Sequence, residues 1–137
     1  MAKIRRRESI GAKVSRWLVR LGAAVPLGQR GERAAERHLK RCGYRIVARN
    51  FRAAGAEIDL IAMEGETLVF VEVKTRSGDG AGAPVDAVDR RKQERMRRAA
   101  EVFAARNRAG DRLMRFDVVA ITSGGGDLKL DLLKDAF

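Results

Sequence analysis

Glu57-Ile58-Asp59-Leu60-Ile61-Ala62-Met63, then Glu64-Gly65, then Glu66-Thr67-Leu68-Val69-Phe70-Val71-Glu72-Val73-Lys74, forms the middle of the chain and its most strand-like region. Both runs are rich in β-branched and aromatic side chains and a glycine separates them, the pattern of two antiparallel strands joined by a tight turn. A hairpin centred on Glu64-Gly65 pairs residue 63 with 66, 59 with 70 and 57 with 72. Strand alternation then sends Glu57, Asp59, Phe70, Glu72 and Lys74 to one face, and Ile58, Leu60, Val71 and Val73 to the other, toward a core. Asp59 falls diagonal to Glu72, about 7 to 8 Å away between backbones. From Thr67 to Lys74 the only charges are Glu72 and Lys74, and charge in a central strand is costly unless it has a use.

Before this hairpin, Gly31 to Cys42 reads as a helix with Ala35, Leu39 and Cys42 on one seam and Gly43 as its stop. At about 100° per residue Glu32 lies at the edge of that buried face, while Glu36 lies farther round. A strand follows over Tyr44 to Arg49, then a loop from Asn50 to Ala56. Beyond the hairpin, residues 77–84 form a glycine-rich loop, and Asp86 and Asp89 mark a helix start. Met96, Ala99, Ala100 and Phe103 trace the inner face of this helix, which runs to about Asn107, and Arg90, Arg91, Arg95, Arg97 and Arg98 cover its outer face. Phe116 to Thr122 and Leu128 to Leu132 are the last strands, about a turn at Gly124 to Asp127. The expected order is α-β-β-β-α-β-β, an α/β domain over residues 28–137 with a central mixed sheet flanked by helices. Residues 1–27 read as a basic arm or short helix carrying Val14, Trp17, Leu18 and Leu21 at helical spacing.

A chain of 137 residues with 45% hydrophobic side chains can build one core, and 34% charged residues weighs against a membrane protein. The longest uncharged run near the N-terminus, Leu21 to Gln29, is far short of the roughly 20 residues a membrane-spanning helix needs. Arg16 and Arg20 interrupt the apolar stretch that a leader beginning at Arg5-Arg6-Arg7 would require, so the expected location is the cytoplasm, with no membrane partner. A single cysteine, Cys42, fits a reducing compartment and offers no zinc-ligand spacing; it reads as a small buried residue. The net charge of +11 is unevenly spread: residues 1–56 carry +12, 57–75 carry −4, 76–115 carry +5 and 116–137 carry −2. A compact acidic island between basic stretches suits a polyanion partner around a site that holds a cation. Arginine makes up 22 of the 29 basic residues, and its planar fork pairs with phosphate in bidentate fashion, which points to nucleic acid.

Carboxylates converging on one face repel one another, and a hard divalent cation removes that cost. Mg²⁺, or Mn²⁺ in its place, takes oxygen ligands and keeps several waters, so two or three carboxylates, a carbonyl and a substrate phosphate complete its shell. Lys74, two residues beyond Glu72 on the same face, is placed to contact the attacking water or the phosphate. Lys92, Gln93, Arg95 and Arg98 read as phosphate contacts; the lone His38 and the Gly124-Gly125-Gly126 run read as structural, and Asp117 as structural beside Arg115.

The residues Glu57-Ile58-Asp59-Leu60-Ile61 and Phe70-Val71-Glu72-Val73-Lys74-Thr75-Arg76 resemble the PD-(D/E)XK nuclease superfamily. More closely, Gly28-x-x-Gly31-Glu32, Gly43-Tyr44, Asn50-Phe51-Arg52, Lys92-Gln93 and Arg115-Phe116-Asp117-Val118-Val119 are similar to the YraN-like family of small bacterial proteins, related in fold to archaeal Holliday-junction resolvases. The resemblance implies a restriction-endonuclease-like core with Asp59, Glu72 and Lys74 at the catalytic positions and Glu32 as the helix-borne acid. It makes Asp59, Glu72, Glu32 and the Val73 carbonyl the metal ligands and Glu57 an accessory acid, in a stretch where Ala56 replaces the family's usual second glycine. With Arg52 and Arg76 added to the basic residues above, it implies a DNA nuclease acting on branched or single-stranded intermediates, DNA being favoured over RNA. Cutting two strands would call for a homodimer. The competing expectation is a non-catalytic nucleic-acid-binding module on the same fold.

Overall fold

The computed structural model describes residues 27–77 and 88–137; the expectations for the N-terminal arm, the glycine-rich loop and Asp86 lie outside them. Among the described residues seven elements follow one another: α1 (Leu27–Arg41), β1 (Arg45–Ala53), β2 (Ala56–Glu64), β3 (Thr67–Ser77), α2 (Arg90–Arg106), β4 (Met114–Gly124) and β5 (Asp127–Leu133). The order is the expected one. The five strands form one sheet in sequence order, antiparallel from β1 to β3, parallel between β3 and β4 across α2, and antiparallel again from β4 to β5. Because β3 and β4 run parallel, the chain must cross back over the sheet, and α2 is that crossover.

The helices lie on opposite faces. Ala35 and Leu39 of α1 bury with Tyr44, Leu60, Val71 and Val119, whereas Met96, Ala99 and Phe103 of α2 bury with Ile58, Ile61, Phe70 and Val118. β3 is therefore covered on both sides, which is why its sequence is nearly continuous hydrophobe rather than alternating. Phe103 packs edge-to-face on Phe51 (5.1 Å) and on Phe70 (6.1 Å), contacts each contributing about 0.5–1.5 kcal/mol beyond area burial, and these seat α2 across β1 and β3. Asp89 caps α2, its carboxylate accepting from the Lys92 N–H at 2.8 Å, as its place before the apolar run predicts.

Four expectations need correction. α1 begins at Leu27, before Gly31, and ends at Arg41, so Cys42 leaves the buried seam and is exposed. β1 continues through the supposed loop to Ala53, because Ala54 (φ +50°) and Gly55 (φ +73°) alone make the reversal into β2. The next turn is Gly65-Glu66 rather than Glu64-Gly65: Gly65 takes φ +57° at the first central position, where type II′ turns carry glycine, so Glu64 pairs with Thr67 and Leu60 with Val71. Finally, Ile58 and Leu60 do not share a face. Ile58 packs under α2 and Leu60 under α1, and on β1 both Ala48 and Phe51, three residues apart, pack under α2. The pleat breaks at Asn50 (φ +49°) on β1 and at Asp59 beside it, since a left-handed residue cannot keep strict alternation.

Candidate functional site

The break at Asp59 opens the end of the sheet where β2 begins and β3 finishes. A cleft of about 380 Å³ lies there, with Glu57 and Asp59 on β2, Glu72 on β3, Glu32 from α1 on one side and Lys92 and Arg95 from α2 on the other; Gly55 and Ala56 complete the wall. Both helices reach the cleft because each packs on its own face of β3. For α1 the approach is close: a Cβ on Gly31 would stand 2.4 Å from Thr75 Oγ1, so only glycine lets the helix lie near enough to bring Glu32 to the sheet.

The corrected turn brings the two central acids level. One step beyond the last ladder pair, Leu60–Val71, Asp59 stands opposite Glu72, not diagonal to it. Its side chain replaces a ladder bond, Asp59 Oδ2 accepting from the Val73 N–H at 2.7 Å, which fixes the carboxylate against β3. Burial, then the charge of Glu72, pushes the Asp59 carboxyl up to about 8, against the Val73 hydrogen bond; Glu32 adds to the push. The half-buried Glu32 carboxyl is raised as well, by burial first and then by Glu57 and Glu72.

Glu72 is 4% exposed, and among the described residues it and Asp117 are the buried charged ones. Its Oε1 is shared by two ammonium groups: Lys92 Nζ hydrogen-bonds to it, and Lys74 Nζ lies 3.3 Å from it. Burial works against the charge on Lys92, but the hydrogen bond and charge of Glu72 outweigh it and raise its pKa.

The donor set is all carboxylate, the chemistry of a hard cation. Among the described residues no three acidic, histidine or cysteine side chains close into a cage. An open arrangement of this kind fits Mg²⁺ or Mn²⁺ held by one or two carboxylates with water and phosphate supplying the rest. Asp59 and Glu72 would hold such an ion, with Glu32 across the cleft.

Of the residues expected at the site, Glu32, Glu57, Asp59, Glu72, Lys92 and Arg95 line the cleft together, and Lys74 joins them through Glu72. Val73 contributes its N–H. Arg52 pairs with Glu57 at 3.1 Å beside the cleft. The Gln93 amide donates to the Val88 carbonyl at 3.0 Å and so holds the start of α2. Arg98 is exposed farther along α2, and Arg76 is half-buried on β3 past Lys74. The direct pairing of Lys92 with Glu72 went unread in the sequence; its signal is that Lys92 stands three residues after the cap Asp89 and four before the buried Met96, one turn from the core face. Glu36, which the helical wheel left unassigned, pairs with Arg49 and Lys40.

Fold and cleft together define the class: an α/β domain with a mixed five-stranded sheet and an acidic, lysine-flanked cleft at the open end of its central strands. The chain belongs to the family described as Uncharacterised protein family UPF0102, whose model matches residues 31–121, from the close-packed glycine of α1 to the end of the buried part of β4. It is 46% identical over 110 residues to a UPF0102 protein of Nitratidesulfovibrio vulgaris (strain DP4), covering 80% of this chain and 82% of the relative. A UPF0102 protein of Symbiobacterium thermophilum is 47% identical over 112 residues, 81% of this chain and 95% of the relative. One from Nocardia farcinica is 43% identical over 121 residues, 88% of this chain and 95% of the relative. The YraN-like family assignment made from the motifs is thereby met. Among the described residues no helix is long and apolar enough to cross a membrane.

Proposed function

We propose that this chain is a metal-dependent nuclease hydrolysing phosphodiester bonds in DNA, with branched or single-stranded intermediates as its substrates, on a restriction-endonuclease-like core of the PD-(D/E)XK superfamily. The observation that carries the reading is the pinning of Asp59 opposite Glu72 in one cleft with Glu32, while Lys74 extends from the same strand. Bound Mg²⁺ or Mn²⁺ would supply Lewis-acid activation of the phosphate and its water. Asp59, with its oxygen fixed by the Val73 N–H, and the buried Glu72 would hold the ion, and the Val73 carbonyl and Glu32 would be its further ligands once it is bound. Lys74 contacts the attacking water or the phosphate and stabilises the charge that develops there. Glu57 is accessory, kept in place by Arg52. Arg95 and Lys92 flank the phosphate, and Arg98, Arg76, Arg52 and Gln93 supply the outer contacts. Two cuts on opposite strands would be made by a homodimer.

The test is cleavage of a labelled panel of linear duplex, single strand, flap, four-way junction and RNA with Mg²⁺ or Mn²⁺, comparing wild type with Asp59→Asn and Lys74→Ala. Cleavage by wild type alone is the expected result. One observation favours the second reading, a binding module without catalysis: two lysines already neutralise Glu72. Binding retained with no cleavage above the variants, and indifferent to divalent metal, would decide for it.

A further inference from the structure

We propose that Lys92 is a resident counter-ion of the cleft, which a divalent cation displaces from Glu72 and which then becomes an anion ligand for the DNA backbone. The inference rests on the metal-site reading above and adds to it a coupling between metal and DNA. Two ammonium groups share Glu72 Oε1. Lys74 is two residues along the same strand, so its base stays beside Glu72 wherever its head turns. Lys92 arrives from the first turn of α2 on a four-carbon stem, with its backbone fixed by the Asp89 cap, so its head alone can swing. A cation of charge +2 joining Glu72 would meet two like charges within a few ångströms, and the side chain able to leave relieves the repulsion. Arg95 lies three residues on, on the same face of α2, and both line the cleft. A released Lys92 therefore sits beside a guanidinium, and the pair suits one phosphate. Lys92 thus competes with the metal when DNA is absent and assists DNA when metal is present, which makes the two ligands cooperative.

Mn²⁺ binding to the full chain is measured by calorimetry for wild type, Lys92→Met, Lys92→Arg and Asp59→Asn. Fluorescence anisotropy then measures a labelled DNA four-way junction with and without Ca²⁺, used so that no cleavage intervenes. Lys92→Met should bind Mn²⁺ about tenfold more tightly, since a competing charge is gone, while Lys92→Arg stays near wild type. For DNA, Lys92→Met should lose about tenfold in affinity with Ca²⁺ and little without it, because without metal the ammonium is engaged by Glu72. Unchanged or weaker Mn²⁺ binding by Lys92→Met, or an equal DNA loss in both conditions, overturns the exchange. Should Lys92→Met fold poorly, Lys92→Gln, which keeps a donor for Glu72 without the charge, gives the same readings. Wild type that binds no Mn²⁺ overturns the metal site and the exchange with it, whereas Mn²⁺ binding that is lost in Asp59→Asn but unaffected by Lys92 overturns the exchange alone.

Discussion

Replacing Asp59 with asparagine should make the metal-free protein more stable at neutral pH while removing its response to metal. In the folded chain the Asp59 carboxyl is pushed from 3.8 to about 8 by burial and by Glu72, so folding is linked to proton uptake. The sign follows directly: this raised acid contributes most below its unfolded value of 3.8, and its contribution is lost as pH rises toward 8. Between 3.8 and pH 7 lie about 3.2 pH units, each equivalent to about 1.4 kcal/mol, so the carboxyl costs up to about 4 kcal/mol at neutral pH. Asparagine carries no charge, and its amide oxygen still accepts from the Val73 N–H. A gain of about 2–4 kcal/mol is expected near pH 7, on the order of 10 °C in Tm for a domain of this size, shrinking toward zero at pH 4. Thermal melts at pH 4 and 7.5, with and without MnCl₂, read both effects: wild type gains stability from the metal and the variant does not. A variant less stable than wild type at pH 7.5, or one whose gain is as large at pH 4, would show that the Asp59 carboxyl does not carry this cost.

Gly31→Ala should cost about 1–3 kcal/mol in a chemical melt, because its Cβ would overlap Thr75 Oγ1 at 2.4 Å, and Thr75→Ala in the same chain should restore most of the loss. Asp117 is fully buried and accepts from Tyr44 Oη, from Nε and Nη2 of Arg115 and from the Asp135 N–H, so Asp117→Ala should destabilise by about 3–5 kcal/mol. Its Mn²⁺ affinity, measured below the melting transition, should stay near wild type. The Glu64 carboxyl is lowered to about 2: slight burial opposes this, but hydrogen bonds from Lys134 and Arg115 prevail. Its contribution to stability is therefore present above its ordinary value of 4.5 and lost as pH falls toward 2, and Glu64→Gln should flatten the acid limb of stability over that window. Lys74→Ala should abolish cleavage, a loss of at least about a hundredfold, while junction binding in Ca²⁺ stays within a few-fold of wild type.

Periodicity and glycine placement were enough to read the seven elements, and the buried face of α2 was legible residue by residue: Met96, Ala99, Ala100 and Phe103 are all buried. Apolar spacing is a local property, and side-chain direction follows from it once the element type is known. Glycine signals were legible as turns but ambiguous in register. Gly65 serves either central position of a two-residue loop, and that choice moved Asp59 from diagonal to level with Glu72. The break in alternation could not be seen at all, since it arises from the φ of Asn50 and from the packing of Ile58 and Leu60 on different helices.

Local pattern alone carries the element order, the core face of α2, the acidic island between basic stretches, and the presence of Glu32, Asp59, Glu72 and Lys74 as the chemically expensive residues. Each of these depends on composition or on neighbours within a turn or a strand. The folded chain alone shows that Asp59 takes the Val73 N–H, that two lysines share one oxygen of Glu72, and that α1 and α2 meet one cleft from opposite faces of β3. Such contacts join residues far apart along the chain, where no local pattern carries their distance. They are set by how closely the helices approach the sheet, and that approach depends on the core beneath them.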